Sequence, residues 1–321
     1  MDSSTRGFAT GDAVKYAGAT LGSIGAVKAL PLAPALPSVA TASPGRLVWR
    51  HLRRSRSALI GMVIVGTLVA VAVSAPWVAP RDPIENDLAR ALLPPGSRGS
   101  LLGTDNLGRD MFSRIIWGSR ISLTVGLVVQ GSAVVIGTVL GLLAGFYGGR
   151  ADDAVSSLTS IMFAFPRFLF ALTIMAVLGT SLYNVFIALG IVGWPTVCRL
   201  VRGETLSIRA TAFVEAARAS GAGDLRIMLR HILPNTLGPI IVVATLGVAG
   251  AILAEASLSF LGLGAQPPTP SWGSMLSRGR AYIWSAPWLT FFPGLAISAA
   301  ILGLNLMGDG LRDALDPRLR Q

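Results

Sequence analysis

Charge is scarce in this sequence. Only 13% of its 321 residues are Asp, Glu, Lys or Arg, against about 25% in a soluble domain, so half of the usual water-facing surface is missing. Apolar residues make up 52%, and mean hydropathy is +0.63. A chain covered mostly by lipid accounts for that deficit. Lysine is scarcer still: Lys15 and Lys28 are the only two, and every later basic residue is Arg or His. A phosphate-binding loop needs Gly-Lys followed by Ser or Thr, because the lysine neutralises phosphate charge. Neither lysine has a glycine-rich loop before it, so this sequence shows no such loop. One cysteine, Cys198, and two histidines, His51 and His231, leave nothing for an intrachain disulfide or a structural zinc site. Cys198 lies in an apolar run and reads as a small packing residue. No Gly-x-Ser-x-Gly, His-Glu-x-x-His or paired-carboxylate pattern appears, so no catalytic residue is expected. The net charge of +11 falls in short stretches between apolar runs, without a basic stripe interleaved with aromatics. That distribution argues against a nucleic-acid partner.

What the sequence does have is long apolar runs. Spans are expected at Leu59–Val78, Ile121–Phe146, Ser160–Leu178, Tyr183–Val201, Leu237–Phe260 and Trp288–Met307, each near the roughly 20 residues that cross about 30 Å of hydrocarbon. The fold class is therefore an all-α membrane protein of about six transmembrane helices. Residues 1–45 are rich in Ala, Gly, Ser and Pro. Lys28 and the prolines Pro31, Pro34 and Pro37 make Leu21–Ala40 a poor spanning helix, and no basic region precedes a compact apolar core as in a secretory signal. This stretch reads as a cytoplasmic low-complexity extension. Arg46–Arg56 then carries a dense arginine cluster and no acid, which by the positive-inside rule keeps the N-terminus in the cytoplasm. Alternation places Ala79–Arg120 and Leu261–Pro287 outside, and Gly148–Thr159, Gly203–Thr236 and the C-terminus inside. Arg199, Arg202, Arg209, Arg218, Arg226 and Arg230 agree with this; Arg81, Arg90, Arg98, Arg109 and Arg114 oppose it. The cluster before the first span decides, being dense and without a competing signal.

The inner loop at about 203–236 is too long for a plain connector. Helix formers run from Thr211 to Ser220, Gly221 and Gly223 interrupt them, a second helical stretch reaches Leu233, and Pro234 marks the next helix. An exposed helix–turn–helix with Ala216, Ala217 and Gly221 lets a partner approach its backbone and move the two spans it joins. Glu215-Ala216-Ala217, then Gly221, then Leu233-Pro234, resembles the EAA loop of bacterial ABC-importer permeases. One departure is His231 where that pattern usually has Ile, with Ile232 next. Two further segments are similar to the C-type permease of dipeptide, oligopeptide and nickel importers. One is Leu102–Asp110, with Ser113-Arg114 and Gly118-Ser119-Arg120. The other is Gly262–Leu276, with Asn305–Asp313 and Asp316-Pro317. The resemblance covers roughly residues 46–321.

It implies the fold of a type I ABC importer in the bacterial inner membrane. The subunit would pair with a homologous second permease, two ATPase subunits that carry the ATP and Mg, and an extracytoplasmic substrate-binding protein. No cofactor or metal is then expected on this chain. Glu215, Ala216, Ala217, Gly221, Ala222 and Pro234 are the implied ATPase-coupling residues. The outer stretch Gly103, Thr104, Asp105, Gly108, Arg109 and Asp110 has two readings. It is a structured loop in which Asp105 and Asp110 cap helices and Arg109 pairs with either, or it contacts the binding protein or the second permease. Charges inside a membrane mark function. Glu255 in the fifth span could attract a peptide ammonium group, or could satisfy neighbours at a wet outer mouth. Arg167, after Pro166, is expected to snorkel to the inner interface. An ion-coupled secondary transporter would show a midplane acid pair or an internal repeat, and neither is visible. A channel or receptor would show a filter-like loop or a signalling domain. A nickel importer shares the permease type, and neither histidine discriminates it.

Overall fold

The computed structural model describes residues 52–53, 55–97 and 99–315. The extension, most of the arginine cluster, His51 and the Asp316-Pro317 pair lie outside the described residues. Among those described there are helices, turns and two isolated antiparallel bridges, but no β-strand. Nine helices follow one another: α1 Arg56–Val78, α2 Met111–Tyr147, α3 Gly149–Ala164, α4 Arg167–Leu178, α5 Leu182–Arg209 and α6 Ala212–Ala219, then α7 Asp224–Phe260, α8 Trp272–Gly279 and α9 Trp288–Leu315. Five of them (α1, α2, α5, α7 and α9) are long and apolar enough to cross a membrane alone, and α3 with α4 reaches that length only as a bent pair.

That bend corrects one expectation. Ser160–Leu178 is not a straight span: the chain turns by 88° between α3 and α4. Proline explains it, since Pro166 offers no N–H and pushes the residue before it out of the helical region. Phe165 accordingly sits at φ −99°, ψ 136°. α3 is tied to α5 by Arg202, whose Nη2 donates to Asp152 Oδ2 at 2.7 Å while Nε donates to Oδ1. α4 lays Ala171 and Met175 on Val185 and Ala188 of α5.

The spanning helices also run further than the hydropathy suggests. α2 begins at an Asp110 cap, whose Oδ2 accepts from Ser113 N at 2.8 Å, and ends at Gly148, φ +67°. Its 37 residues rise about 55 Å, well beyond the hydrocarbon. α5 continues through Arg209, so the start of the expected inner loop is helix. α7 is one continuous rod, α-helical at Asp224–Ile227 and Leu233–Phe260 with a single π turn, Met228–Ile232, between them. Leu233 N bonds Met228 O, and this wider turn carries the ribbon past Pro234, which has no N–H to give. Pro234 stands in the first turn of the α-helical segment that begins at Leu233, as expected, and the π turn joins that segment to the one before it.

Glycines set the closest approaches. On α2, Gly137, Gly141 and Gly145 recur at four-residue spacing against α5. A Cβ on each would stand 2.6 Å from Val197 Cβ, 2.7 Å from Cys198 O and 2.7 Å from Thr205 Cβ. Small residues at this spacing let membrane helices pack backbone to backbone, where burial of apolar surface gives no driving force. Buried Cys198 lies in that seam. The same device joins α1 to α9, where a Cβ added to Gly61 would stand 2.5 Å from Met307 N and one added to Gly303 2.7 Å from Ile64 Cγ2.

Candidate functional site

One end of the helix bundle is built around α6. Thr211 stands before it in extended conformation, and its carbonyl accepts from Val214 N and Glu215 N. The helix closes with a Schellman turn: Ala222 N donates to Ala217 O at 3.1 Å and Gly221 N to Arg218 O at 3.0 Å. That motif needs a left-handed residue after the cap, and Gly221 supplies it at φ +80°. Nothing stands within 4 Å of a Cβ added there, so backbone conformation, not space, demands glycine. Val214 is buried and Ala222 half-buried in a cluster with Phe146, Val201, Ile227 and Ile232. Arg209 Nη1 donates to Phe146 O at 2.7 Å, and the Arg218 guanidinium lies 5.7 Å from the Phe146 ring.

These contacts hold α6 from one side only. Glu215, Ala216 and Gly221 remain exposed and Ala217 half-exposed, beside exposed Phe213, Leu225 and Leu229. The result is a small-residue ridge flanked by apolar side chains, a surface suited to another protein. Pro234 is exposed in the first turn after the π segment. Sequence reasoning missed the anchors Val214, Arg209 and Arg218. The hydrophobic spacing around Val214 was a signal; the arginine contacts are tertiary and left none.

At the other end, Gly103–Asp110 folds into a knot of its own. Asp105 Oδ1 accepts from Leu107 N and Arg109 N, and Oδ2 accepts from Arg109 Nε at 2.7 Å. Arg109 Nη2 lies 2.6 Å and Arg114 Nε 3.7 Å from the same carboxylate. Thr104 Oγ1 accepts from Leu93 N and donates to Arg90 O, and Trp288 Nε1 donates to Thr104 O at 3.2 Å. Gly108, at φ +77°, presses on the carbonyl of Asp87 so closely that no side chain fits. Gly103, Thr104, Asp105, Gly108, Arg109 and Asp110 are all buried. Their side chains are engaged in shaping the loop, and a partner would meet the surface they support. Half-buried Arg278 of α8 completes the basic cluster; desolvation, then the Arg109 charge, lowers its pKa from the usual arginine range.

Glu255 stands on α7 and is fully enclosed. Ser259 Oγ donates to its Oε1 at 2.7 Å and Ser122 Oγ to Oε2 at 3.4 Å. Gly273 of α8 packs against Ala256 on the same turn. The carboxylate reaches none of the larger cavities.

A cavity of about 520 Å³ opens instead between the middles of α2, α5 and α7. Gln130, Thr196, Gly247 and Gly250 line it, and Arg167 at the start of α4 is its one charged lining residue. The sequence expectation puts Arg167 at the inner interface; on this chain it is exposed and also lines the cavity. The break at Pro166 leaves α4 only 12 residues, a rise of about 18 Å, shorter than the roughly 30 Å of hydrocarbon. Pro166 directly before an arginine was the sequence signal for this.

Residues 137–321 match the family described as binding-protein-dependent transport system inner membrane component, and residues 43–95 match the N-terminal TM domain of oligopeptide transport permease C. The dipeptide transport system permease protein DppC of Alkalihalophilus pseudofirmus is 46% identical over 87% of this chain and 91% of the relative. The di/tripeptide permease DppC of Pseudomonas aeruginosa is 46% identical over 88% and 95%. The glutathione permease GsiD of Pectobacterium atrosepticum is 43% identical over 89% and 95%. Among solved structures, a chain of the inward-facing MetNI methionine ABC transporter superposes with TM-score 0.52 at 20% identity, covering 64% of this chain and 98% of that one.

Proposed function

The chain belongs to the family of binding-protein-dependent transport system inner membrane components, and from that membership we propose that it is one permease subunit of an ATP-driven importer carrying di- and oligopeptides across the bacterial inner membrane. It is a membrane component rather than a catalyst. The observation that carries the coupling role is α6: a short helix with an exposed small-residue ridge, held by its Schellman turn between the inner ends of two spanning helices, α5 and α7. The names of the relatives support a peptide cargo.

In this reading both chain ends are cytoplasmic, and the subunit pairs with a homologous permease. Two ATPase subunits, which hold the ATP and Mg, bind from the cytoplasm. An extracytoplasmic binding protein delivers substrate to the face built by Gly103–Asp110 and α8. ATP-driven closure of the ATPase pair draws the two α6 elements together. Because α7 is a continuous rod, that motion reaches the walls of the mid-membrane cavity as a rigid-body switch between inward- and outward-open forms. Ala216, Ala217, Gly221 and Ala222 form the contact, Glu215 orients the turn, and Pro234 marks the start of the α-helical part of the rod.

Reconstitution with the co-purified subunits tests this. ATP-dependent uptake of labelled dialanine is expected, and Gly221→Asp is expected to assemble normally yet lose uptake while ATP is still hydrolysed. Wild-type uptake in that variant overturns the coupling role, and ATP-dependent nickel uptake without peptide uptake overturns the cargo.

A further inference from the structure

The mid-membrane cavity holds two polar groups that the fold itself leaves unanswered. Arg167 has no hydrogen bond, ion pair or ring contact with any described residue. Gln130 lies midway along α2, is 9% exposed, and its amide likewise finds no partner. Its side chain lies directly on the α-carbon of Gly247, where no Cβ fits, so it is held in place against the cavity wall. Both groups are accessible from the cavity, Arg167 being exposed on this chain, and charged groups on helices of this kind face a pathway or a partner that answers them. Apart from Thr196, the remaining lining is apolar or glycine, including Val129, Leu189, Val243, Gly250 and Ala254. A volume of about 520 Å³ lies within the range of small-ligand sites.

On the reading that this subunit passes peptides, we propose that the cavity is a transit subsite in which Arg167 receives the C-terminal carboxylate of the peptide and Gln130 bonds its backbone amide. Every free peptide carries one carboxylate and at least one amide whatever its side chains, so this pair recognises what all such cargo shares. The apolar and glycine walls make no demand on side-chain identity. A planar guanidinium takes a carboxylate in two parallel bonds, and Gly250, with nothing within 4 Å of its Cβ position, leaves the backbone of α7 open to a ligand there. A phospholipid headgroup is the weaker candidate for Arg167, since the cavity lies between the middles of the spans. An acidic residue of the second permease is the other candidate, and the test separates it.

The test uses the complete complex in liposomes at saturating substrate, so that affinity for the binding protein drops out of the rate. Transport of dialanine is compared with that of dialanine amide, which lacks the carboxylate. Arg167→Gln is expected to slow the acid roughly tenfold or more, the effect of one charge-assisted hydrogen bond, and to leave the amide rate unchanged. Arg167→Lys is expected to recover most of the acid rate. Equal slowing of acid and amide means that Arg167 pairs with a protein group or lipid, and overturns the proposal; so does an unchanged acid rate. Where the wild type carries no amide, the lysine variant decides: equal acid rates for Lys and Gln overturn the assignment. A wild-type complex with no ATP-dependent peptide uptake would instead remove the underlying importer reading, and the subsite with it.

Discussion

Asp105 shows how much one side chain can hold. It accepts two backbone N–H groups and the guanidinium of Arg109, with Arg114 nearby, and all three side chains are buried. Removing the carboxylate leaves two buried arginines without their counter-charge, which costs far more than the pair contributes when whole. Asp105→Ala is expected to lower stability by about 3 kcal/mol, read as a clear fall in the melting temperature of the detergent-purified protein. Adding Arg109→Ala should recover part of the loss, because the two changes remove one interaction; strict additivity would contradict the buried pair. The sequence left Arg109 two acidic neighbours to pair with, Asp105 and Asp110, and the fold selects Asp105. Burial was not legible, because it depends on Trp288 and Pro83, which come from distant parts of the chain. Glu255 repeats the lesson. Its place in an apolar run was visible, but the serines that enclose it, Ser122 and Ser259, lie on two helices.

At the scale of the element, the α2–α5 seam is the most exacting contact. Gly141→Leu puts a side chain where Cys198 O and Val201 Cβ already stand at 2.7 and 2.8 Å from the Cβ position, so the helices must separate or the subunit must fail to assemble. Gly131 on the same helix has nothing within 4 Å of its Cβ position, and Gly131→Ala is expected to be neutral or slightly stabilising. The ratio of folded protein recovered after solubilisation checks both: loss in Gly141→Leu with retention in Gly131→Ala is the expected pattern, and equal recovery contradicts the seam. The four-residue glycine spacing stands openly in the sequence, as does Pro166, whose 88° turn a hydropathy count passes over. Hydropathy averages composition over a window, so it locates apolar runs well and bends poorly. It also stops where polar residues begin, whereas α2, α5 and α7 carry their helical hydrogen bonds beyond the lipid.

For the molecule as a whole, class and family were legible because they follow from bulk properties and short contiguous motifs. A chain this poor in charge must meet lipid, and the Glu215–Gly221 segment keeps its pattern within a few residues. The mid-membrane cavity was not legible, since Gln130, Arg167, Thr196 and Gly247 come from four helices. The orientation proposed from the arginine distribution can be checked with thiol chemistry. In spheroplasts, Gln266→Cys is expected to react with a membrane-impermeant maleimide, and Ser220→Cys only after the membrane is opened; the reverse pattern would invert the topology. Such experiments usually begin by stripping native cysteines from a protein. Here the one cysteine in the sequence is Cys198, 1% exposed and closed into the glycine seam. The native chain thus comes with a silent thiol background, and a spectroscopic label placed at the ridge of α6 or beside Arg167 would report from that position alone while the transporter turns over.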